Sequence, residues 1–157
     1  MKATIDSSVL LALGKLGYLP LLKEVFDKVF VPQSVYEEVS GDAIAAQIHE
    51  LSNEGLIEVM ECSNVQLLNL LSSSLGKGEV ETIALALELK TDVALLDDLK
   101  ARKAARRLKI KVMGTIALLK AFLDLRMLKQ SPEDVVQQLI GQGFWIDEKL
   151  CLRILKG

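Results

Sequence analysis

The chain has 157 residues, a net charge of −2, and half of its residues are hydrophobic. That length suits one domain with a sizeable core, and the near-neutral charge excludes a protein that attracts polyanions with its whole surface. No apolar run approaches the roughly 18 residues that a bilayer span needs. The start Met1-Lys2-Ala3-Thr4-Ile5-Asp6 carries no signal pattern, so a cytoplasmic protein with no membrane association is expected.

In chain order, Lys2 to Ile5 reads as a short strand that ends on Asp6-Ser7-Ser8. The apolar-periodic run Val9, Leu10, Leu11, Leu13, Leu16 follows at once as a helix. Asp6, Ser7 or Ser8 can each serve as an ordinary helix cap. Val29-Phe30-Val31 is a second strand, and Pro32 is placed to open a helix. Val35 and Val39 set that helix's apolar face. Glu38 falls beside the face and Glu37 points away from it.

Asp42 is a candidate cap for a further helix with Ile44, Ile48 and Leu51 on its buried side, ended by Gly55. Leu56 to Met60 alternates as a third strand. The stretch from Glu61 to Leu71 reads as a loop with a short helix, and Ser72 to Gly78 is rich in turn residues. Gly76-Lys77-Gly78 lacks the spacing of a phosphate-binding P-loop. A strong helix over 79–90 buries Val80, Ile83, Ala84 and Leu87, with Glu79 and Glu81 on opposite margins of that stripe, so periodicity does not choose between them.

Asp92 to Leu96 reads as a buried strand that ends on the acid pair Asp97-Asp98. One of these acids can cap the helix Leu99 to Leu108; the other is surplus. From Lys100 to Lys111 the chain gathers seven of its nineteen Lys and Arg residues and no acid. Ile110 to Met113 is a fifth strand, and Gly114-Thr115 leads into a long apolar helix over 116–128 that suits either core or a self-association surface. Ser131-Pro132-Glu133 starts another helix, Gly141-Gln142-Gly143 breaks it, Phe144-Trp145-Ile146 reads as a packed connector, and Asp147 caps a last helix. The single His49 and the two unpatterned cysteines, Cys62 and Cys151, make no metal-site spacing.

Strands alternating with helices predict a three-layer α/β/α fold with a mostly parallel central sheet of about five strands. Residues 1–157 are read as a single domain, with the helices from about 116 onward packed on it. Ligand sites in such sheets form outside the carboxyl ends of the strands. Asp6 and Asp97 end strands there, and Glu38 and Glu79 lie near the starts of helices that leave the same edge. Converging carboxylates without paired cations repel one another unless a cation is bound, and oxygen ligands favour Mg²⁺ or Mn²⁺.

The order and spacing of these stretches resemble the PIN-domain ribonucleases, in particular the small prokaryotic members of VapC type. The stretches are Thr4-Ile5-Asp6-Ser7-Ser8, Val31 to Val39, Gly78 to Ala86, Leu95 to Arg102, Val112-Met113-Gly114-Thr115 and Gly143 to Asp147. The resemblance implies metal-dependent endonucleolytic cleavage of RNA by a cluster of acids: Asp6, Glu38, Glu79 and Asp97, with Glu81 and Asp98 as additional candidates. It implies Mg²⁺ or Mn²⁺ held by Asp6, Asp97 and Glu79. Ser7, Lys100 and Arg102 are the candidate contacts to the RNA backbone. The resemblance also implies a toxin role with an antitoxin partner, and a homodimer.

One departure stands out. Where the commoner pattern has an aspartate, this chain has Val80 flanked by Glu79 and Glu81. Glu79 is favoured as the third acid, with Glu81 the alternative. Two rival readings stand beside it: a catalytically weak or inactive PIN-like protein-interaction module of the same fold, and a receiver-type phosphoryl-transfer α/β domain, which also gathers acids at strand ends. The latter would want a second acid at the first strand and a lysine ending a later one, and neither is present.

Overall fold

The computed structural model describes residues 1–41 and 43–157, so the expected cap Asp42 lies outside the described residues. The central sheet has five strands: β1 (Lys2–Ile5), β2 (Lys28–Pro32), β3 (Ile57–Met60), β4 (Val93–Leu95) and β5 (Val112–Met113). They lie in the order β3-β2-β1-β4-β5, and every pairing is parallel. The chain builds outward from β1 to β3 on one side, then crosses to add β4 and β5 on the other. The direction of winding therefore reverses between β1 and β4, which is where such sheets open a crevice.

The helices are α1 (Ser7–Leu16), α2 (Gln33–Val39), α3 (Ile44–Asn53), α4 (Val65–Leu71), α5 (Lys77–Leu89), α6 (Leu99–Arg107), α7 (Thr115–Asp124), α8 (Pro132–Gly141) and α9 (Glu148–Lys156). Strand β4 shows how they cover the sheet. Val93 and Leu95 join a large core with Ile5, Leu10, Leu13, Leu118 and Phe122, whereas Ala94 and Leu96 join a smaller one with Ile83, Ala101, Ala105 and Ile110. Successive strand residues point to opposite faces, so an uninterrupted apolar strand needs a core on each side. The three-layer α/β/α expectation holds.

Several boundaries differ from the sequence reading. Pro32 closes β2, where it pairs with Met60, and α2 begins one residue later. A 3₁₀ turn at Leu19–Glu24, with Pro20 in its first turn, was not anticipated. Helix α5 starts at Lys77, two residues earlier than expected, and Leu87 is only half-buried. Helix α7 stops at Asp124, and Arg126 follows with a positive φ of 57°.

Leu118, Leu119 and Phe122 of α7 are fully buried, so the face they set is core. Helices α8 and α9 pack on α1 and α7, and the Tyr18 hydroxyl donates to Gln138 Oε1 at 2.8 Å. Trp145 corrects the packed connector. Phe144 and Ile146 are half-buried, but Trp145 is wholly exposed. No helix among the described residues is long and apolar enough to cross a membrane.

Candidate acidic site

Asp6 is the residue around which the other acids gather. It ends β1, and its backbone N–H donates to Leu95 O of β4 at 3.1 Å, which sets it on the switch point. It occupies the N-cap position of α1, yet its side chain makes no capping bond there, so the cap explanation does not account for the acid. It is only 5% exposed. Burial pushes its carboxyl up from 3.8 to about 6; the Ser7 N–H opposes this, and Glu38, Asp97 and Asp98 push it further up.

Glu38 comes from α2 and is itself exposed. Its approach to Asp6 is measured by Gly78. A Cβ at that position would lie 2.6 Å from Glu38 Oε1, 3.2 Å from Asp6 Oδ1 and 3.2 Å from Val35 Cγ2. A glycine in the first turn of α5 is what lets these two acids share one space.

Glu79, one residue further along α5, is raised from 4.5 to about 7 by burial, then by Asp98 and Asp6, with the Gly76 N–H opposing. Its Oε2 is buried and has no hydrogen-bond partner. Glu81 sits differently. It accepts from the backbone N–H and the hydroxyl of Ser34, and so ties α5 to α2.

The acid pair after β4 divides as the sequence arithmetic suggests. Asp98 caps α6 by accepting from Ala101 N–H at 2.9 Å. Asp97 is held by the next strand's exit: it accepts from Thr115 N–H at 2.7 Å and from Thr115 Oγ1 at 2.6 Å. Gly114 makes room for this, since a Cβ there would lie 2.7 Å from Asp97 Oδ1. Arg102 turns inward on α6. One terminal nitrogen lies 3.5 Å from that same Gly114 position, and its Nε is buried without a partner. Ser7 is half-buried in the first turn of α1, and Lys100 is exposed on α6.

The ion pairs among the described residues join the N-terminus to Asp27, Lys28 to Glu58, Lys120 to Asp124 and Lys156 to Glu133. None involves an acid of this cluster. No three His, Cys, Asp or Glu side chains among the described residues stand close enough to ligate one ion together. The acids gather in overlapping pairs around Asp6 instead. Their chemistry still fits a hard divalent cation: oxygen donors, no ion pair to a base among the described residues, and one buried carboxylate oxygen left without a partner.

The sequence reading missed Thr115 as the group that orients Asp97, and Ser34 as the partner of Glu81. Replacing Thr115 by valine keeps its shape and removes the hydroxyl bond to a carboxylate. The expected loss is about 10-fold in any activity that needs Asp97 in place, with the fold retained. Gly78→Ala is a second local probe. Alanine favours the helix, and the crowded Glu38 oxygen is the far end of a flexible side chain, so thermal stability should change little. Activity at the site should fall by about 10- to 100-fold because Glu38 is pushed off Asp6. Parallel melting and activity measurements check both variants.

The topology and these acids at the switch point define a parallel α/β protein with a carboxylate-lined crevice. The PIN domain family model matches residues 2–157, nearly the whole chain, and the chain belongs to that family. Among solved structures it is similar to a PilT N-terminus domain protein from the hyperthermophilic archaeon Sulfolobus solfataricus P2. The two share 19% identity at a TM-score of 0.54, over 77% of this chain and 92% of that one. At that identity the likeness bears on the fold alone. No curated protein matches the chain.

Proposed function

We propose that the chain is a divalent-metal-dependent endoribonuclease of PIN type, acting through Asp6, Glu38, Glu79 and Asp97. Membership of a family whose members are generally nucleases supports the coarse reading. The observation that carries the finer one is the gathering of unpaired carboxylates at the β1/β4 crevice, with Glu79 Oε2 buried and unsatisfied.

In this reading Asp6, Glu79 and Asp97 would hold Mg²⁺ or Mn²⁺, which when bound would supply the acidification of water and the neutralisation of charge that phosphodiester hydrolysis needs. Thr115 fixes Asp97 in one orientation. Glu38, exposed beside Asp6, accepts the proton of the water that attacks phosphorus in line as the ribose oxygen departs. Asp98 is committed through one oxygen to its cap and stands as a reserve acid near Glu79. Arg102 presents an unpaired guanidinium beside Asp97. Together with Ser7 and Lys100 it serves the RNA backbone, which makes binding salt-sensitive.

The resemblance to VapC-type proteins extends the proposal to the toxin of a cytoplasmic toxin–antitoxin pair that works as a homodimer. One surface fits such a partner. Helix α4 buries none of its own residues fully and exposes Val65 and Leu70. A catalytically weak interaction module would use the same surface.

A mixed pool of structured and single-stranded RNA separates these readings. Internal cuts that require Mn²⁺ or Mg²⁺ and stop with EDTA are expected. Intact RNA at micromolar enzyme with either ion would move the assignment to the interaction module.

A further inference from the structure

Trp145 is the only tryptophan in the chain, and it stands wholly in solvent. Large aromatic side chains are ordinarily among the most buried by area, and a lone ring held clear of the surface has no share in the core. Its neighbours anchor the segment. Phe144 and Ile146 are half-buried and pack against the main core, and Lys15 Nζ of α1 lies 5.5 Å from the Phe144 ring centroid.

Two hollows meet at this residue. One, of about 180 Å³, is lined by Phe144, Trp145 and Ile146 and runs to Asp97 and Thr115. The other, of about 360 Å³, continues from the same three residues past Ile140 and Gly143. A trough therefore leads from one of the candidate metal-binding acids to an exposed indole, and the Lys15 ammonium stands over the ring of the adjoining Phe144.

We infer that Trp145 is a stacking platform for an unpaired nucleobase of the RNA substrate, next to the phosphodiester presented at Asp97. The inference rests on the ribonuclease reading of the acidic site. Single-stranded nucleic acid is bound by this combination of an aromatic face and a nearby cation, because every base has a face that can stack. Continuity with Asp97 argues for substrate over a protein partner, since an occupant of the trough reaches the reacting position. Phe144 lines the same hollows but is half-buried, and the chain's remaining aromatics line neither hollow. A base held here would select single-stranded segments over duplex, whose bases are already stacked.

Because Trp145 is the sole tryptophan, its fluorescence reports directly on the platform. In Asp6→Asn protein, which does not cut the RNA, a short single-stranded RNA should quench the emission, and an abasic oligonucleotide of equal length should leave most of it. In otherwise native enzyme, Trp145→Ala should raise KM for a short RNA by about 10-fold with kcat little changed, and Trp145→Phe should recover most of the loss. The residue is exposed, so these variants keep the fold.

Equal quenching by the abasic strand would overturn the platform, as would an unchanged KM in Trp145→Ala. A concentration-dependent blue shift without RNA would also overturn it, by placing the ring between copies of the chain. Base-dependent quenching by a protein that cuts no RNA supports the platform while sinking the nuclease. Cutting without quenching does the reverse.

Discussion

Asp6→Asn is expected to lower metal-dependent cleavage by on the order of 10³-fold while raising the thermal stability of the metal-free protein at neutral pH. The two effects have one cause. Asp6 is buried, and Glu38, Asp97 and Asp98 lie near enough to oppose its ionisation, so its carboxyl is raised from 3.8 to about 6. The folded state therefore holds this proton more tightly than the unfolded chain does. The resulting stabilisation is fully present below pH about 4 and is lost as pH rises through about 6. For Asp6 alone it amounts to about 3 kcal/mol.

Glu79, raised from 4.5 to about 7, adds to the same trend and extends it to neutral pH. Metal-free wild type should thus melt at progressively lower temperature from pH 5 to 8, and Asp6→Asn should flatten that slope. Saturating Mn²⁺ should restore wild type by mass action and leave the variant nearly unmoved. Melting curves across pH, with and without Mn²⁺, check this directly. A wild type that gains stability over the same pH range would show that the acids are not held in mutual repulsion.

The second large effect separates Glu79 from Glu81. Glu79→Gln removes a carboxylate that has a buried, unpartnered oxygen and two acidic neighbours. Cleavage should fall by about 100-fold or more, and the metal-free fold should hold or gain stability. Glu81→Gln instead weakens the charge-assisted bonds from Ser34 that join α5 to α2. The expected cost is about 1–2 kcal/mol of stability with only a few-fold change in rate. Side-by-side melting and cleavage assays decide the matter. The opposite pattern, with Glu81→Gln inactive and Glu79→Gln active, would make Glu81 the third acid.

What was legible in the sequence depended on local period and local arithmetic. Short apolar runs alternating with helical stripes specified the parallel sheet, because strands buried on both faces need apolar residues at every position, as in Val93-Ala94-Leu95. Two acids after that strand exceeded what one helix cap requires, and the structure divides them accordingly between the Asp98 cap and the Thr115-bound Asp97. Asp6 at a strand end was visible too, though its failure to cap was not.

The remainder depends on apposition between distant segments, which periodicity does not carry. Glu79 and Glu81 lie on opposite margins of one helical stripe, and only the placement of α5 against α2 gives Ser34 to Glu81 and leaves Glu79 beside Asp98. Gly78 read as part of a turn, yet it serves as the clearance between Glu38 and Asp6. Gly114-Thr115 read only as the lead into a helix, yet its threonine fixes an acid that follows the neighbouring strand β4. Trp145, flanked by apolar residues on both sides, read as part of a packed connector. A local apolar run cannot show which of its members the backbone turns outward.

Calorimetric titration of Mn²⁺ into wild type and Asp6→Asn tests the metal-site claim most directly, since it needs no RNA and no knowledge of the target. One saturable site in wild type, abolished in Asp6→Asn and weakened in Glu79→Gln, is the predicted result. No binding heat in wild type, or the same heat in all three proteins, would contradict it.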